Sequence, residues 1–233
     1  MISYFRQGMF RQWVASFAAI VLVFSLAACS DNKAKQESEL TTFLQTEILQ
    51  KNRVNLPALT EKERAEFGDF ASQYELLLNF DEKIKHAFAP LSTSLQSLPK
   101  MSSVKEMMES KEKITKTRNE LEASYSQLTQ MVAQMEKEKA LLVQSDALKG
   151  AYDQVYNRLV LEQLAVAKEG FPLLISMFEQ ALQIIDFIES KGESVSVLGN
   201  RVEFSSQEDV DAFNALNDKL QALQADYLSF SKR

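Results

Sequence analysis

The stretch from Thr60 to about Val143 constrains this chain most, because its apolar side chains recur there at alternating steps of three and four residues. Before Pro99 the series runs Phe67, Phe70, Tyr74, Leu77, Asp81, Ile84, Phe88, Leu91, Leu95, Leu98, with one charged member. After it come Val104, Met107, Lys111, Ile114, Arg118, Leu121, Tyr125, Leu128, Val132, Met135, Lys139, Leu142. A 3.5-residue repeat held this long draws one stripe down a helix and requires another helix against it. The expected spine is a long antiparallel helical hairpin over residues 60–143, folded back at Leu98-Pro99-Lys100-Met101-Ser102. The fold class that follows is all-α or nearly so: an elongated antiparallel helical bundle with one small two-stranded β-hairpin near residues 194–204.

Folding the two halves together brings Asp81 level with Arg118, and a structural ion pair is expected between them. In the second half the column Met107, Ile114, Leu121, Leu128, Met135, Leu142 is wholly apolar. The other column alternates with Lys111, Arg118 and Lys139, so it belongs at a margin where long stems cover apolar surface and charges reach water.

Local signals mark the remaining elements. Leu40, Phe43, Leu44 and Ile48 predict a short amphipathic helix from about Glu37 to Arg53, preceded by a brief polar tether. Thr60 with Glu63, and Ser103 with Glu106, read as capping boxes. Pro90 predicts a kink rather than a break, since Phe88, Leu91 and Leu95 keep the register. Residues Ser145 to Gly150 are a candidate interruption, followed by a helical face at Tyr152, Val155, Tyr156, Leu159 and Leu164. Gly170 and Pro172 predict a stop and restart. From Pro172 to Ser190 the apolar positions exceed one stripe, which places that helix in the middle of the bundle.

Between Gly192 and Phe204 the period changes to two. Gly199-Asn200 is a hairpin-turn signal, and pairing Leu198 with Arg201 sets Val197 opposite Val202 and Val195 opposite Phe204. Ser205 or Ser206 then caps a last helix, whose Val210, Phe213, Leu216, Leu220, Leu223, Tyr227 and Phe230 return to steps of three and four.

The N-terminus reads differently. Arg6 and Arg11 precede an uncharged, mostly apolar run from Trp13 that closes with Leu26-Ala27-Ala28-Cys29. Basic, then apolar, then small is the order of a secretory signal. The Leu-Ala-Ala-Cys box resembles that of bacterial lipoproteins of the signal peptidase II class. That resemblance implies a cleaved leader over 1–28, and a lipidation site at Cys29 carrying covalent diacylglycerol and N-acyl lipid. It also implies a lipidated tether over 29–38, and the length and periodicity of the rest predict a single helical domain over 39–233. Under the sorting rule that comes with the resemblance, Ser30 directly after the cysteine, followed by Asp31, directs the protein to the outer membrane, periplasmic face. The alternative is the inner membrane, periplasmic face.

Charge and cysteine count narrow the functional classes. The formal charge of −6 becomes −8 once Arg6 and Arg11 leave with the leader, which disfavours nucleic acid as a partner. Cys29 is the sole cysteine, so no intrachain disulfide can form and a cysteine-rich metal site is excluded. His86 is the sole histidine, too few for a histidine-based zinc triad. No Gly-x-Ser-x-Gly elbow, phosphate loop or dinucleotide fingerprint occurs. Catalytic, cofactor-binding and metal-ligating residues are therefore assigned to none, and the chain is read as not an enzyme.

Several ordered segments carry a wider resemblance. They are Phe43-Leu44-Gln45 through Leu56-Pro57-Ala58-Leu59-Thr60, then Phe67-Gly68-Asp69-Phe70, and Gln144-Ser145-Asp146-Ala147-Leu148-Lys149 with Tyr152-Asp153-Gln154. With Val202-Glu203-Phe204 and Phe213-Asn214-Ala215-Leu216, they resemble the YiaF-like lipoproteins of gammaproteobacteria over nearly the whole mature chain. The resemblance implies a secreted lipoprotein domain and supplies no active-site residues. The function expected is that of a membrane-tethered lipoprotein with a structural or protein-interaction role. Its partners would be the bilayer, through the Cys29 acyl chains, and an envelope protein, with the chain itself a monomer. The alternative is a periplasmic small-molecule or lipid-binding protein with an apolar cavity in its bundle.

Overall fold

A computed structural model describes residues 31–52, 54–98 and 103–232. The leader, Cys29, Ser30 and the fold-back at residues 99–102 lie outside them. The expected fold class holds: helices account for nearly all the ordered chain, with one two-stranded antiparallel hairpin.

In chain order, α1 covers 31–43 and continues as π-helical turns over Leu44–Leu49. Then come α2 (Glu61–Phe67), a 3-10 turn (Gly68–Phe70), α3 (Ala71–Ser97), α4 (Val104–Glu109) and α5 (Lys111–Ala140). Next are α6 (Asp146–Tyr156), a second π-helical segment (Asn157–Leu161) and α7 (Glu162–Ser190). The hairpin β1 (Val195–Leu198) and β2 (Arg201–Phe204) precedes α8 (Gln207–Phe230). Residues 31–38, expected as a tether, are helical and belong to α1.

The chain clusters into two compact units, one containing residues up to Leu78 with Leu142–Tyr156, the other Asn79–Leu141 with Asn157–Arg233. The first is built where α6 packs on the π-helical end of α1. Its core holds Leu40, Leu44, Ile48, Tyr74, Leu77, Leu148, Tyr152 and Val155, all buried. Phe43 meets the edges of Phe67 and Tyr74 with ring centroids 5.2 and 5.3 Å apart. Two buried tyrosines satisfy their hydroxyls on backbone: Tyr74 donates to Pro57 O at 2.7 Å and Tyr152 to Gln73 O at 3.1 Å. Such donors would otherwise cost free energy by desolvation. The Thr60 box closes as expected: Thr60 N donates to Glu63 Oε2 at 2.7 Å, and Glu63 N to Thr60 Oγ1 at 3.2 Å. The Thr60 hydroxyl, which donates to Glu63 Oε2 at 2.7 Å, and then Thr60 N hold the Glu63 carboxyl below its usual value. The 60–98 stripe is nonetheless interrupted. Gly68 ends α2 at φ +50°, where a Cβ would strike the Gln36 side chain.

In the second unit α5 packs along α7, and Phe88, Leu91 and Leu95 of α3, with Leu98 just after it, complete the same core. The wholly apolar column is buried from Met107 through Met135, as its composition requires. From α7 the core takes Phe178, Ala181, Ile184, Ile185 and Ile188. The helical run Asp146–Ser190 is long and apolar enough to cross a membrane by length and composition. Those five α7 side chains are instead spent on the core.

The predicted break at Gly170-Phe171-Pro172 does not occur; α7 runs through it. Gly170 serves close packing instead of a cap. A Cβ there would lie 2.9 Å from Phe230 Cε1 of α8, so the missing side chain makes room for that ring. Pro172 leaves one carbonyl without its helical donor, a local cost that the surrounding packing tolerates. Pro90 likewise sits inside a continuous α3.

The hairpin has the predicted register: Val195 with Phe204, Val197 with Val202, Leu198 with Arg201. Gly199 takes φ +64°, the left-handed conformation this turn demands. The turn also serves α4, whose Lys105 N donates to Gly199 O at 3.2 Å and so closes an orphan amide of the helix start. Phe204 packs between Phe187 and Phe213, at 5.7 and 5.4 Å between centroids.

Where α7 ends and α8 begins, Lys191 Nζ lies 2.5 Å from Asp209 Oδ1 and 4.7 Å from the Phe187 ring centre. A cation at a helix C-terminus and an anion in the first turn of the next suit both dipoles. Lys191, then the Ser206 cap, hold the Asp209 carboxyl below its usual value. The group's stabilising contribution is therefore fully present above the unfolded carboxylate pKa of about 3.9 and lost as pH falls through the lower folded value. Lys191→Met is expected to raise the Asp209 titration midpoint, read by side-chain carboxyl NMR. An unchanged midpoint would mean that the pair does not form in solution.

Candidate functional site

Of the residues singled out in the sequence, Cys29 and Ser30 lie outside the described residues, while Asp31 is exposed on α1. His86 is exposed on α3, and among the described residues no group of three or more histidine, cysteine or acidic side chains could hold a metal ion.

The expected Asp81–Arg118 pair is corrected. Asp81 Oδ2 takes Lys85 Nζ one turn on at 2.5 Å, while Arg118 reaches Glu122 of its own helix at 3.1 Å and Glu179 of α7 at 3.8 Å. The heptad column carrying Arg118 faces α7. Seven residues earlier, Lys111 contacts Asp186 at 2.8 Å and also Glu189. Seven residues later, Tyr125 stacks on Phe171 at 5.4 Å. Partners step back along α7 as they step forward along α5, which is an antiparallel ladder. Its lysine is driven towards the protonated form by the hydrogen bonds to Asp186 and Glu189. These pairs are half exposed, so each contributes under about 1 kcal/mol. A double-mutant cycle on Arg118 and Glu179 is expected to return a coupling of a few tenths of a kcal/mol in unfolding free energy, and one on Arg118 and Asp81 none. Coupling only in the second cycle would restore the original pairing.

On the outer flank of α5 an open depression of about 570 Å³ is lined by Lys111, Glu112, Thr115, Lys116, Asn119, Glu120 and Ala123, all from one helix. Its lining is charged and polar. Aliphatic stems of those side chains form much of its wall, but the trough is open and lacks the enclosure of a small-molecule pocket.

A second constellation lies at the start of α1 in the first unit. Glu37 accepts a hydrogen bond from Ser145 N. Gln73 of α3 donates from Nε2 to Val143 O at 3.2 Å and accepts from Gln144 Nε2 at 2.8 Å. Lys33 lies 6.0 Å from the centre of the Phe70 ring. The loop before α6 is thus tied by its backbone and by Gln144, while the Val143 side chain is 82% exposed. Leu141, just before it, is 81% exposed. The sequence reading passed over this loop; its signal was an apolar Leu141-Leu142-Val143 triplet placed at a helix break, where turn residues are the norm.

Comparison with known proteins adds a family. A model of the family DUF3053, a protein family of unknown function, matches residues 17–232. This chain belongs to that family. Similar proteins are those named "Uncharacterized protein YiaF" of Escherichia coli strain K12 and of Shigella flexneri. Each is 26% identical over 217 residues, covering 91% of this chain and 89% of the relative. The YiaF-like resemblance of the ordered segments holds over most of the chain. The family description assigns no catalytic activity. No solved structure matches.

Proposed function

We propose that this chain is a lipoprotein of the bacterial envelope, acylated at Cys29, facing the periplasm and acting as a structural or protein-interaction module rather than as a catalyst. The observation that carries the reading is Leu26-Ala27-Ala28-Cys29 at the end of a basic-then-apolar leader. The family match supports it by beginning at residue 17, so that Cys29 and its flanks fall inside the shared region. Ser30 after the cysteine favours the outer membrane. Several acyl chains at about 0.8 kcal/mol per buried CH2 make an effectively permanent anchor.

The helical state of residues 31–38 bears on the role. Eight residues that would reach roughly 26 Å when stretched at about 3.3 Å each span only about 12 Å as helix. A body held so close to its bilayer suits a fixed partner in the envelope better than a shuttle. The open, charged trough on α5 lends no support to the small-molecule alternative. Growth with an alkyne-bearing palmitate, followed by cross-linking in intact cells and isolation of the labelled protein, tests both halves. Label on the chain together with an envelope protein at stoichiometric yield is expected. Label without any stoichiometric companion would remove the interaction role, and no label would remove the lipoprotein.

A further inference from the structure

We propose that the loop of residues 141–145 is a second membrane contact, with Leu141 and Val143 entering the interfacial layer of the same bilayer that holds Cys29; this rests on the lipoprotein reading above. Exposed apolar residues scattered singly need no explanation, but here two at more than four-fifths exposure are separated by one residue at a helix break. Loops at such breaks ordinarily carry polar turn residues.

Position names the occupant. Glu37 of α1 accepts from Ser145 N, two residues after Val143. Glu37 is six residues beyond Asp31 in a continuous helix, a rise of about 9 Å. Cys29 is two residues before Asp31, adding at most about 7 Å of chain. With the reach of the Glu37 side chain and its hydrogen bond, and the two residues from Ser145 back to Val143, the loop lies within about 30 Å of the acylated cysteine, about the thickness of one hydrocarbon core. Its backbone is fixed from within the first unit. Gln73 binds both Val143 O and the Gln144 side chain, and Leu148 N donates to Ser145 Oγ at 3.3 Å to start α6. A loop tied at 143, 144 and 145 spends little conformational entropy on contact, and its two apolar side chains gain by leaving water. Two signals at one end of the body would set its orientation on the membrane, which one flexible attachment does not.

The test uses the full, acylated protein in vesicles of phosphatidylethanolamine and phosphatidylglycerol. Cys29 is blocked by its lipid, so Val143→Cys supplies a single thiol for an environment-sensitive fluorophore. Gln50→Cys, exposed near the far end of α1 and about 20 Å along the helix from Glu37, is the reference. Lipids bearing a nitroxide near the headgroup are expected to quench the label at position 143 at least threefold more than at position 50. Equal, weak quenching at both positions, in protein that still floats with the vesicles, would overturn the loop contact and leave the lipoprotein reading standing. A label quenched little by lipid yet shielded from aqueous iodide in intact cells would assign the loop to a protein partner and overturn the proposal. Absence of acyl chains on Cys29 would remove both.

Discussion

Replacing residues 1–29 by a secretory leader without a cysteine at its cleavage site is expected to move the protein from the membrane pellet to the soluble periplasmic fraction almost completely. The effect is all-or-none because the anchor is covalent. Three acyl chains of ordinary length bury dozens of CH2 groups, and each additional chain multiplies an affinity that is only about 10⁴ M⁻¹ for one myristoyl group. The remaining body, at −8, has no net positive charge with which to hold anionic lipid. Two exposed side chains at the 141–145 loop orient a tethered body but cannot replace the tether. Far-UV circular dichroism of the released protein should be unchanged, since every described helical residue lies in the part that is kept. Cys29→Ser should behave differently. Without a thiol there is nothing to acylate, so a peptidase acting before an acylated cysteine has no substrate. The protein should keep its 28-residue leader and remain membrane-bound by it. A leader-swapped protein that still pelleted would show that some other surface holds the chain to the membrane.

Ile184→Ala is expected to destabilise the second unit by about 2–5 kcal/mol, the range for truncating a fully buried isoleucine and leaving a cavity. Ile184 is completely buried, and it shares a core with Ile114 and Leu121 of α5 and with Phe213 of α8. Because α7 packs along both α5 and α8, no single neighbour can move to fill the space without loosening the other contact. Val166→Ala on the same helix, where the side chain is more than half exposed, should stay within about 0.5 kcal/mol. Urea unfolding followed by circular dichroism reads both. A shift in the midpoint with constant slope, in the transition that melts α7, is the expected signature. A loss under about 0.5 kcal/mol for Ile184→Ala would mean that α7 does not hold the core position described.

Features that depend on a few neighbouring residues could be read from the sequence. The register from Leu198–Arg201 to Val195–Phe204 follows from Gly199-Asn200 and a period of two, because a one-residue slip would turn every valine outward. The caps at Thr60, Ser103 and Ser206 depend on a hydroxyl and an amide three residues apart, and all three form. Partner choice could not be read in the same way. A heptad stripe on α5 says that another helix must cover it, not which one. Asp81 and Arg118 were matched by assuming the nearest helix in sequence, whereas Arg118 meets Glu179 of α7. Gly170 misled for a related reason. Glycine punctuates helices often enough to suggest a stop, but the need met here is room for Phe230, sixty residues away. In the candidate site, the proposed acylation of Cys29 rests on a linear processing signal that the sequence carries by itself. The 141–145 loop was not legible in that way, since its meaning comes from Glu37 and Gln73 folding against it.

The most direct measurement is the intact mass of the protein extracted from membranes, with fragmentation of its N-terminal peptide. The account predicts a chain that begins at Cys29 and carries a diacylglycerol thioether and an amide-linked acyl group. A chain that begins at Met1, or a Cys29 with a free thiol, would contradict it.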